Sequence, residues 1–208
     1  MNVDAVKILA GYAKQHSAHF INISTDYVFD GENGPYSEND DVNPVGFYGL
    51  TKLQGEEEII KSGCDFSIIR TNVLYGPAKF GRMDFVKWVV SSLKEKKEIK
   101  IVTDQINNPT FIDDLVEIIY SVMINKHYGI FNSGGEEFLS RYDFTLRIAD
   151  FFNLDKNLIK PVLTEEFNQA AVRPLKSGLV LDKVKKILGF QPRKFEDTFR
   201  LMKEELNL

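Results

Sequence analysis

A tyrosine and a lysine four residues apart, Tyr48 and Lys52, are the residues whose types and spacing most directly indicate chemistry. Two side chains at this spacing lie one turn apart on the same face of a helix. A free tyrosine titrates near ~10, which is too high for easy proton exchange at neutral pH. A lysine cation held nearby favours the phenolate and lowers that pKa. The pair could therefore protonate a carbonyl oxygen while a hydride reaches the carbonyl carbon.

The same spacing recurs at Tyr75 and Lys79, so the spacing alone is a weak signal. Gly76 and Pro77 lie between these two residues and prevent a continuous helix. We interpret this second pair as fortuitous, and the surroundings of each pair must distinguish them.

The surroundings of Tyr48 include Ser24, Thr25 and Asp26, which follow a strand-like run. In open α/β sheets, ligands bind at the carboxyl ends of the strands. The Thr25 hydroxyl could bond a substrate carbonyl there and help to fix the tyrosine. The alternative is that the three residues only cap a turn, as these residue types often do.

Helix-like and strand-like segments alternate in the first part of the chain. They are a helix over 3–13, a strand over 19–24, a loop over 30–43, a helix over 47–61 and a strand over 65–70. We expect Glu56, Glu57 and Glu58 to lie on the solvated side of the second helix. The alternation predicts crossover connections and a parallel sheet.

The alternation continues less regularly in the second part. The pattern predicts helices over 85–93 and 115–123, strands over 100–102 and 129–132, a helix reaching about residue 152, and two helices around Val184 and Phe199. Ser140 and Asp143 have the spacing of a capping box, which predicts the start of the helix that reaches residue 152.

The composition excludes several classes of protein. The net charge of −4 argues against nucleic-acid binding as the main task. The single cysteine, Cys64, excludes a disulfide framework and is interpreted as a packed thiol. His16, His19 and His127 lack metal-ligand spacing, so no metal site is expected. We find neither a signal-peptide pattern nor the ~18 consecutive apolar residues of a membrane span, so we expect a cytoplasmic protein without membrane contact.

Several motifs follow one another along the chain: ISTDYVFDG at 23–31, YGLTK at 48–52, RTNVLYGP at 70–77, Asp104-Gln105 with Pro109-Thr110, and Arg173-Pro174. As a set they resemble the dTDP-4-dehydrorhamnose reductase family of extended short-chain dehydrogenases/reductases. The resemblance implies an α/β fold, the C-terminal portion of a Rossmann-type parallel sheet with an interleaved small substrate-binding subdomain. Residues 1–76 would be the remaining part of the NAD(P)-binding domain. Residues 77–208 would be mainly the substrate-binding subdomain, with segments at about 99–126 returning to the sheet.

The resemblance also implies an activity: reduction of the 4-keto group of dTDP-4-dehydro-6-deoxy-L-mannose to dTDP-L-rhamnose by NADPH, with NADH as the other cofactor to consider. Tyr48 would donate the proton, Lys52 would set its pKa and bind the nicotinamide ribose, and Thr25 would be the hydroxyl partner. Ser24 and Asn72 would complete the cofactor contacts.

The implied nucleotide-sugar contacts are Thr25, Asp26, Tyr27 and Arg173. Asp26 and Tyr27 would lie beside the sugar, and Arg173 near the diphosphate. A guanidinium suits that role because it binds phosphate oxygens in a fork. The alternative for Arg173 is a surface ion pair.

The sequence departs from the family in lacking a Gly-x-x-Gly-x-x-Gly turn, whose amides cradle the cofactor pyrophosphate. We therefore expect a chain that begins after this turn, binds NADPH poorly by itself and exposes an apolar sheet edge. A homodimer or a partner chain would cover such an edge. Val73 stands where some members carry an aromatic residue, which leaves the exact sugar open.

Two alternatives remain at this stage. One is another nucleotide-sugar epimerase or dehydratase, although the dehydratases resemble Thr-Asp-Glu where this chain has Thr25, Asp26 and Tyr27. The other is a non-catalytic subunit similar to the regulatory subunit of methionine adenosyltransferase. The missing glycine turn favours this second alternative, whereas Tyr48 and Lys52 favour an active enzyme.

Overall fold

The computed structural model describes residues 1–77, 83–167 and 171–206. The helices are α1 (Asp4–Gln15), α2 (Phe47–Ser62), α3 (Phe85–Lys94), α4 (Ile112–Ile124), α5 (Arg141–Phe151), α6 (Asp182–Leu188) and α7 (Phe195–Leu206). The strands are β1 (Phe20–Thr25), β2 (Phe66–Thr71), β3 (Leu74–Tyr75), β4 (Ile99–Val102), β5 (Ile106–Asn107), β6 (Thr110–Phe111), β7 (Gly129–Ser133), β8 (Leu139–Ser140) and β9 (Ile159–Val162). The main helices and strands predicted from the sequence are present, with bounds that differ by a few residues.

A three-stranded parallel sheet in the order β1-β2-β7 forms the centre of the first part. Successive side chains of a strand point to opposite faces. Ile68 accordingly packs with Ala10 of α1 and Ile59 of α2, whereas Ile69 packs with residues of α4 and α6. Helices therefore cover both faces of the sheet, and the predicted α/β class is confirmed.

The register of the sheet brings its carboxyl ends together. Thr25 at the end of β1 lies opposite Thr71 of β2, and Thr71 lies opposite Ser133 of β7. Residues that follow these strands therefore meet at one edge of the sheet, where ligands bind in folds of this kind.

The second part has its own core, built around α3, α5 and α7. Buried aromatic side chains dominate it: Tyr75, Phe111, Phe144, Phe195 and Phe199. We expected segments at about 99–126 to return to the sheet, but β4 pairs instead with β9. Apolar side chains of β4, Ile99 and Ile101, belong to the aromatic core, which explains that pairing. Helix α4 packs against the sheet, and the strand that joins it is β7.

Tyr75 belongs to this core. It is 2% exposed, and its hydroxyl lies 3.0 Å from the Thr198 hydroxyl. It lies in a short strand rather than a helix, as Gly76 and Pro77 predicted. Lys79 lies outside the described residues, and Tyr75 packs as a structural side chain.

The prediction that Glu56 lies in solvent is wrong. Its side chain is 1% exposed and pairs with Arg70, the Nη2–Oε2 distance being 2.7 Å. Helix α2 packs against α1 and also against the sheet, so its buried face is wider than a surface helix presents. Glu57, next along the helix, is exposed as expected.

Smaller expectations are confirmed. Cys64 is a free, buried thiol, and the Ser140 hydroxyl caps α5 by accepting from the Asp143 backbone N–H. Among the described residues β1 pairs with β2 alone, and Ile23 of β1 is exposed. None of the described helices is both long and apolar enough to cross a membrane.

Candidate active site

A cleft of about 600 Å³ opens at the carboxyl ends of β1 and β2. It is lined by all eight residues that the sequence suggested for a site: Ser24, Thr25, Asp26, Tyr27, Tyr48, Lys52, Asn72 and Arg173. The fold thus brings together residues separated by as many as 149 positions (173 − 24). Their position relative to the strands is the one expected for a ligand site.

Tyr48 and Lys52 lie on successive turns of α2, which begins at Phe47 after Gly46 in extended conformation. Tyr48 is 52% exposed toward the cleft. The Lys52 ammonium donates to the backbone carbonyl of Ile23 at 2.6 Å, which fixes it beside the end of β1. Partial burial lowers the pKa of Lys52, and the Glu56 carboxylate acts in the opposite direction.

The expected lowering of the Tyr48 pKa is not found. Partial burial raises the pKa of Tyr48, the Asp26 carboxylate raises it further, and a hydrogen bond with Thr25 lowers it. The Lys52 ammonium is held by the Ile23 carbonyl instead of acting on the phenol. The phenol is therefore protonated at neutral pH, which is the form that a proton donor requires.

Thr25 both caps a turn and faces the cleft. Its Oγ1 accepts from the Tyr27 backbone N–H at 3.2 Å and donates to Asp26 Oδ1 at 3.1 Å. The capping interpretation is therefore correct for Thr25, and it is compatible with a role in the site because Thr25 also lines the cleft together with Tyr48.

Asp26 is a buried carboxyl directly behind Thr25. It is 1% exposed, and the Ser177 hydroxyl donates to its Oδ2 at 2.5 Å. Burial raises the pKa of Asp26 to about 7, although the hydrogen bonds from Ser177 and Thr25 act against this shift. Asp26 therefore exchanges a proton near neutral pH.

Tyr27 meets Tyr48 edge to face, with ring centroids 6.0 Å apart and an interplanar angle of 83°. Burial raises the pKa of Tyr27, as does Asp26, whereas Arg173 and Arg141 lower it. Tyr27 thus has the Tyr48 ring as one neighbour and the two arginines of the cleft, Arg141 and Arg173, as others.

Ser24 and Asn72 differ in what they can offer a ligand. The Ser24 Oγ is buried and has no hydrogen-bond partner among the described residues, so it is available. The Asn72 amide is engaged: it donates to Asn108 Oδ1 at 2.8 Å and accepts from Thr110 at 3.2 Å. Asn108 and Thr110 therefore hold the Asn72 side chain in place within the lining of the cleft.

Arg173 and Arg141 form the basic side of the cleft. Arg173 precedes Pro174, which lies so close to Gly31 that a Cβ on that glycine would overlap it, and Lys176 N–H donates to the Gly31 carbonyl at 2.8 Å. Arg173 makes no ion pair within the described part of the chain, so the surface ion-pair alternative is not realised there.

Arg141 was missed from the sequence. It is the first residue of α5, and its guanidinium lies 4.4 Å from the centroid of the Phe85 ring. Burial lowers the pKa of Arg141, and the neighbouring Arg173 lowers it further. Two like charges brought this close indicate a site for an anion. The capping box at Ser140 predicted where α5 begins, but it gave no information on where the Arg141 side chain points.

A second cavity of about 400 Å³ continues from the cleft and shares Phe85, Arg141 and Arg173 with it. Trp88, Phe167 and Val102 are among its other walls. A planar, partly apolar group attached to an anion fits this pair of cavities, because aromatic walls stack with such groups.

Comparison with known proteins supplies the family. The family described as "RmlD substrate binding domain" matches residues 1–208. The chain belongs to this family. It is 33% identical over 204 residues to the dTDP-4-dehydrorhamnose reductase of Aggregatibacter actinomycetemcomitans, covering 92% of this chain and 68% of that protein.

Two solved structures named as dTDP-4-dehydrorhamnose reductases have the same fold. The dTDP-4-dehydrorhamnose reductase of Clostridium acetobutylicum is 34% identical with a TM-score of 0.91, covering 100% of this chain and 73% of that one. The Bacillus anthracis reductase, solved in complex with NADP, is 32% identical with a TM-score of 0.89, covering 99% of this chain and 72% of that one.

Not every relative is named as a reductase. Methionine adenosyltransferase 2 subunit beta of Danio rerio is 30% identical over 208 residues, covering 96% of this chain and 64% of that protein. The chain thus spans roughly two thirds of the length of the relatives compared here.

Proposed function

We propose that this chain carries the substrate side of an NADPH-dependent reductase that converts dTDP-4-dehydro-6-deoxy-L-mannose to dTDP-L-rhamnose. The observation that carries the proposal is the cleft itself. It places a protonated tyrosine, its neighbouring lysine and a threonine hydroxyl opposite two arginines. A keto sugar joined to a diphosphate needs a proton donor at the sugar end of its site and cationic groups at the diphosphate end.

The residues present fit the nicotinamide end of the cofactor. The buried Ser24 Oγ lacks a partner in the described chain, and the Lys52 ammonium uses one of its three hydrogens on Ile23. The nicotinamide end would be held by Ser24, Tyr48 and Lys52, with Asn72 beside them in the cleft lining. Bound NADPH supplies a hydride to the carbonyl carbon.

Tyr48 supplies the proton in this proposal. As the C4 carbonyl becomes an alcohol, the phenol gives its proton to the carbonyl oxygen, and the Thr25 hydroxyl lines the same cleft. The raised pKa of Tyr48 keeps the donor protonated before the reaction. Solvent protonates the remaining phenolate again, and Lys52, which is bound to the Ile23 carbonyl, is left to hold the nicotinamide end of the cofactor.

The basic side of the cleft would bind the rest of the substrate. Arg141 and Arg173 suit the diphosphate, since guanidinium groups bind phosphate oxygens in a fork. The second cavity, with Trp88 and Phe167, would receive the nucleobase.

The experiment adds NADPH and the keto sugar to this chain fused behind the glycine-turn segment of the Bacillus anthracis reductase, and follows nicotinamide absorbance. Stoichiometric loss of NADPH with formation of dTDP-rhamnose would support the proposal. A folded fusion that binds NADPH and leaves the keto sugar unchanged would contradict it. Titration of the unfused chain with NADPH measures what the residues of this cleft contribute to cofactor binding by themselves.

A second candidate is a non-catalytic subunit, which the similarity to methionine adenosyltransferase 2 subunit beta favours. It predicts that the chain binds a methionine adenosyltransferase catalytic subunit and that the fusion turns over no keto sugar. Retention of Tyr48, Lys52 and Thr25 in one cleft makes the reductase the better supported function.

A further inference from the structure

The motif Asp104-Gln105 has no part in the proposed chemistry, although it lies beside the second cavity. Gln105 is 5% exposed and is one of the residues that line this cavity. Its backbone carbonyl accepts from the Arg141 backbone N–H at 2.9 Å, and the Ile106 N–H donates to the Leu175 carbonyl at 2.6 Å. The motif is therefore fixed beside the start of α5 and beside the segment that contains Leu175.

Gln105 supplies the second cavity with a hydrogen-bond acceptor. The other polar side chains in the lining are Lys100, Arg141, Arg173 and Trp88, and all four are donors only. An amide has both a carbonyl oxygen and an NH₂ group. Among the described side chains around this cavity, Gln105 is therefore the one that can accept a hydrogen bond from a ligand.

A series of hydrogen bonds fixes which way the Gln105 amide faces. The Thr164 hydroxyl donates to Asp104 Oδ1 at 2.7 Å, and a carboxylate has no hydrogen to donate in return. Thr164 Oγ1 can therefore only accept from Gln105, and it does so from Nε2 at 3.0 Å. The Thr164 backbone N–H donates to both Asp104 oxygens at 3.1 Å, which holds the carboxylate in place. A flipped amide would set its oxygen against the Thr164 oxygen, so this arrangement excludes it.

The fixed amide leaves two groups for a ligand. The Gln105 Oε1 and the second hydrogen of Nε2 have no partner among the described residues. An acceptor beside a donor matches the imide edge of thymine or uracil, where N3–H lies beside a carbonyl oxygen. Cytosine has the reverse pattern, an acceptor N3 beside an amino group, and would set like groups against the fixed amide.

We propose that Gln105, oriented by Thr164 and Asp104, selects the base of the nucleotide sugar by pairing with the imide edge of thymine or uracil. This inference rests on the proposed function, in which the second cavity receives the nucleobase. Polar contacts of this kind discriminate strongly, because the wrong base leaves the polar groups of the site unpaired.

The test is calorimetric titration of the whole chain with dTDP and with dCDP, two diphosphates that differ only in the base. We expect the parent to bind dTDP at least about tenfold more tightly than dCDP. Gln105→Met keeps the length of the side chain without its amide, so the two diphosphates should bind almost equally.

A second variant tests the orientation of the amide. Thr164→Val removes the hydroxyl that fixes Gln105, so the amide can turn toward cytosine and the preference for dTDP should fall at least about threefold. Thr103→Val is the matched control, because the Thr103 hydroxyl bonds the Val162 carbonyl at 3.3 Å instead. It should keep the preference of the parent.

Equal binding of dTDP and dCDP by the parent would overturn the inference, as would an unchanged preference in Gln105→Met. If Gln105→Met does not fold, Thr164→Val decides, and a preference equal to that of Thr103→Val would overturn the inference. Absence of binding by either diphosphate would overturn both this inference and the proposed function. An inactive fusion together with a retained base preference would contradict the proposed reductase alone, so the two failures are distinguishable.

Discussion

Gly49 of α2 packs directly on the backbone of Tyr27. A Cβ at Gly49 would overlap the Tyr27 carbonyl oxygen and touch the Pro44 side chain. The absence of a side chain there lets the helix lie against the turn, so that Tyr48, the preceding residue, meets the Tyr27 ring. The close approach of Gly49 thus places the candidate proton donor.

Replacing this glycine should therefore disturb both stability and the site. We expect Gly49→Ala to destabilise the fold by about 1–3 kcal/mol, because the helix must move away from the turn. Gly11→Ala is the matched control: Gly11 lies in α1 with no atom near its would-be Cβ, and alanine should stabilise that helix by about 0.5–1 kcal/mol. Urea unfolding measures both, and equal stabilities for the two variants would refute the close approach.

Tyr48→Phe tests the proton donor. The change removes one hydroxyl, and the rate of keto-sugar reduction by the fusion should fall by about 10²–10⁴-fold while nucleotide-sugar affinity is retained. Tyr12→Phe, on the exposed face of α1, is the control and should keep the full rate. A Tyr48→Phe variant as fast as the parent would remove Tyr48 from the mechanism.

Asp26 makes stability depend on pH. The folded-state pKa of about 7 exceeds the unfolded value of 3.8, so the folded state binds the extra proton between these pH values. Stability therefore falls as pH rises from about 4 to 7. Asp26→Asn should remove this dependence, gaining on the order of 4 kcal/mol over the parent above neutrality and little near pH ~4.

Asp30 is the control for this pH effect, because its pKa is shifted in the opposite direction. The Tyr36 hydroxyl and the Glu32 backbone lower the pKa of Asp30, so the stability from Asp30 is lost as pH falls. Asp30→Asn should cost stability at neutral pH and cost less in acid. Urea unfolding midpoints of both variants, measured across this pH range, check the two opposite pH dependences of stability. If the midpoints of Asp26→Asn and the parent change in parallel with pH, Asp26 is not a buried carboxyl that titrates in this range.

The sequence predicted the α/β framework because its signals are local. Apolar periodicity identified α1, α2, β1 and β2, and the Ser140 capping box marked the start of α5. Tyr48, Lys52 and Thr25 were predicted from their spacing and from the end of a strand, whereas the other site residues were predicted from the resemblance to the reductase family.

Other features depend on tertiary packing and had no local signal. Glu56 stands in a run of three glutamates that suggests a solvated face, and only the double packing of α2 buries it against Arg70. Arg141 reaches the cleft because α5 begins beside Phe85, some 56 residues away (141 − 85) in sequence. The pairing of β4 with β9 likewise joins segments about 60 residues apart (159 − 99).

Calorimetric titration of the chain with dTDP-L-rhamnose tests the central claim most directly, since this cleft should bind a nucleotide sugar whether or not NADPH is held. We expect saturable binding that weakens at least tenfold in Arg141→Ala and Arg173→Ala, because each loses a charged partner of the diphosphate. Lys97→Ala, at an exposed lysine that pairs with Glu95, should bind as the parent does. Absence of binding, or binding indifferent to both arginines, would contradict the account.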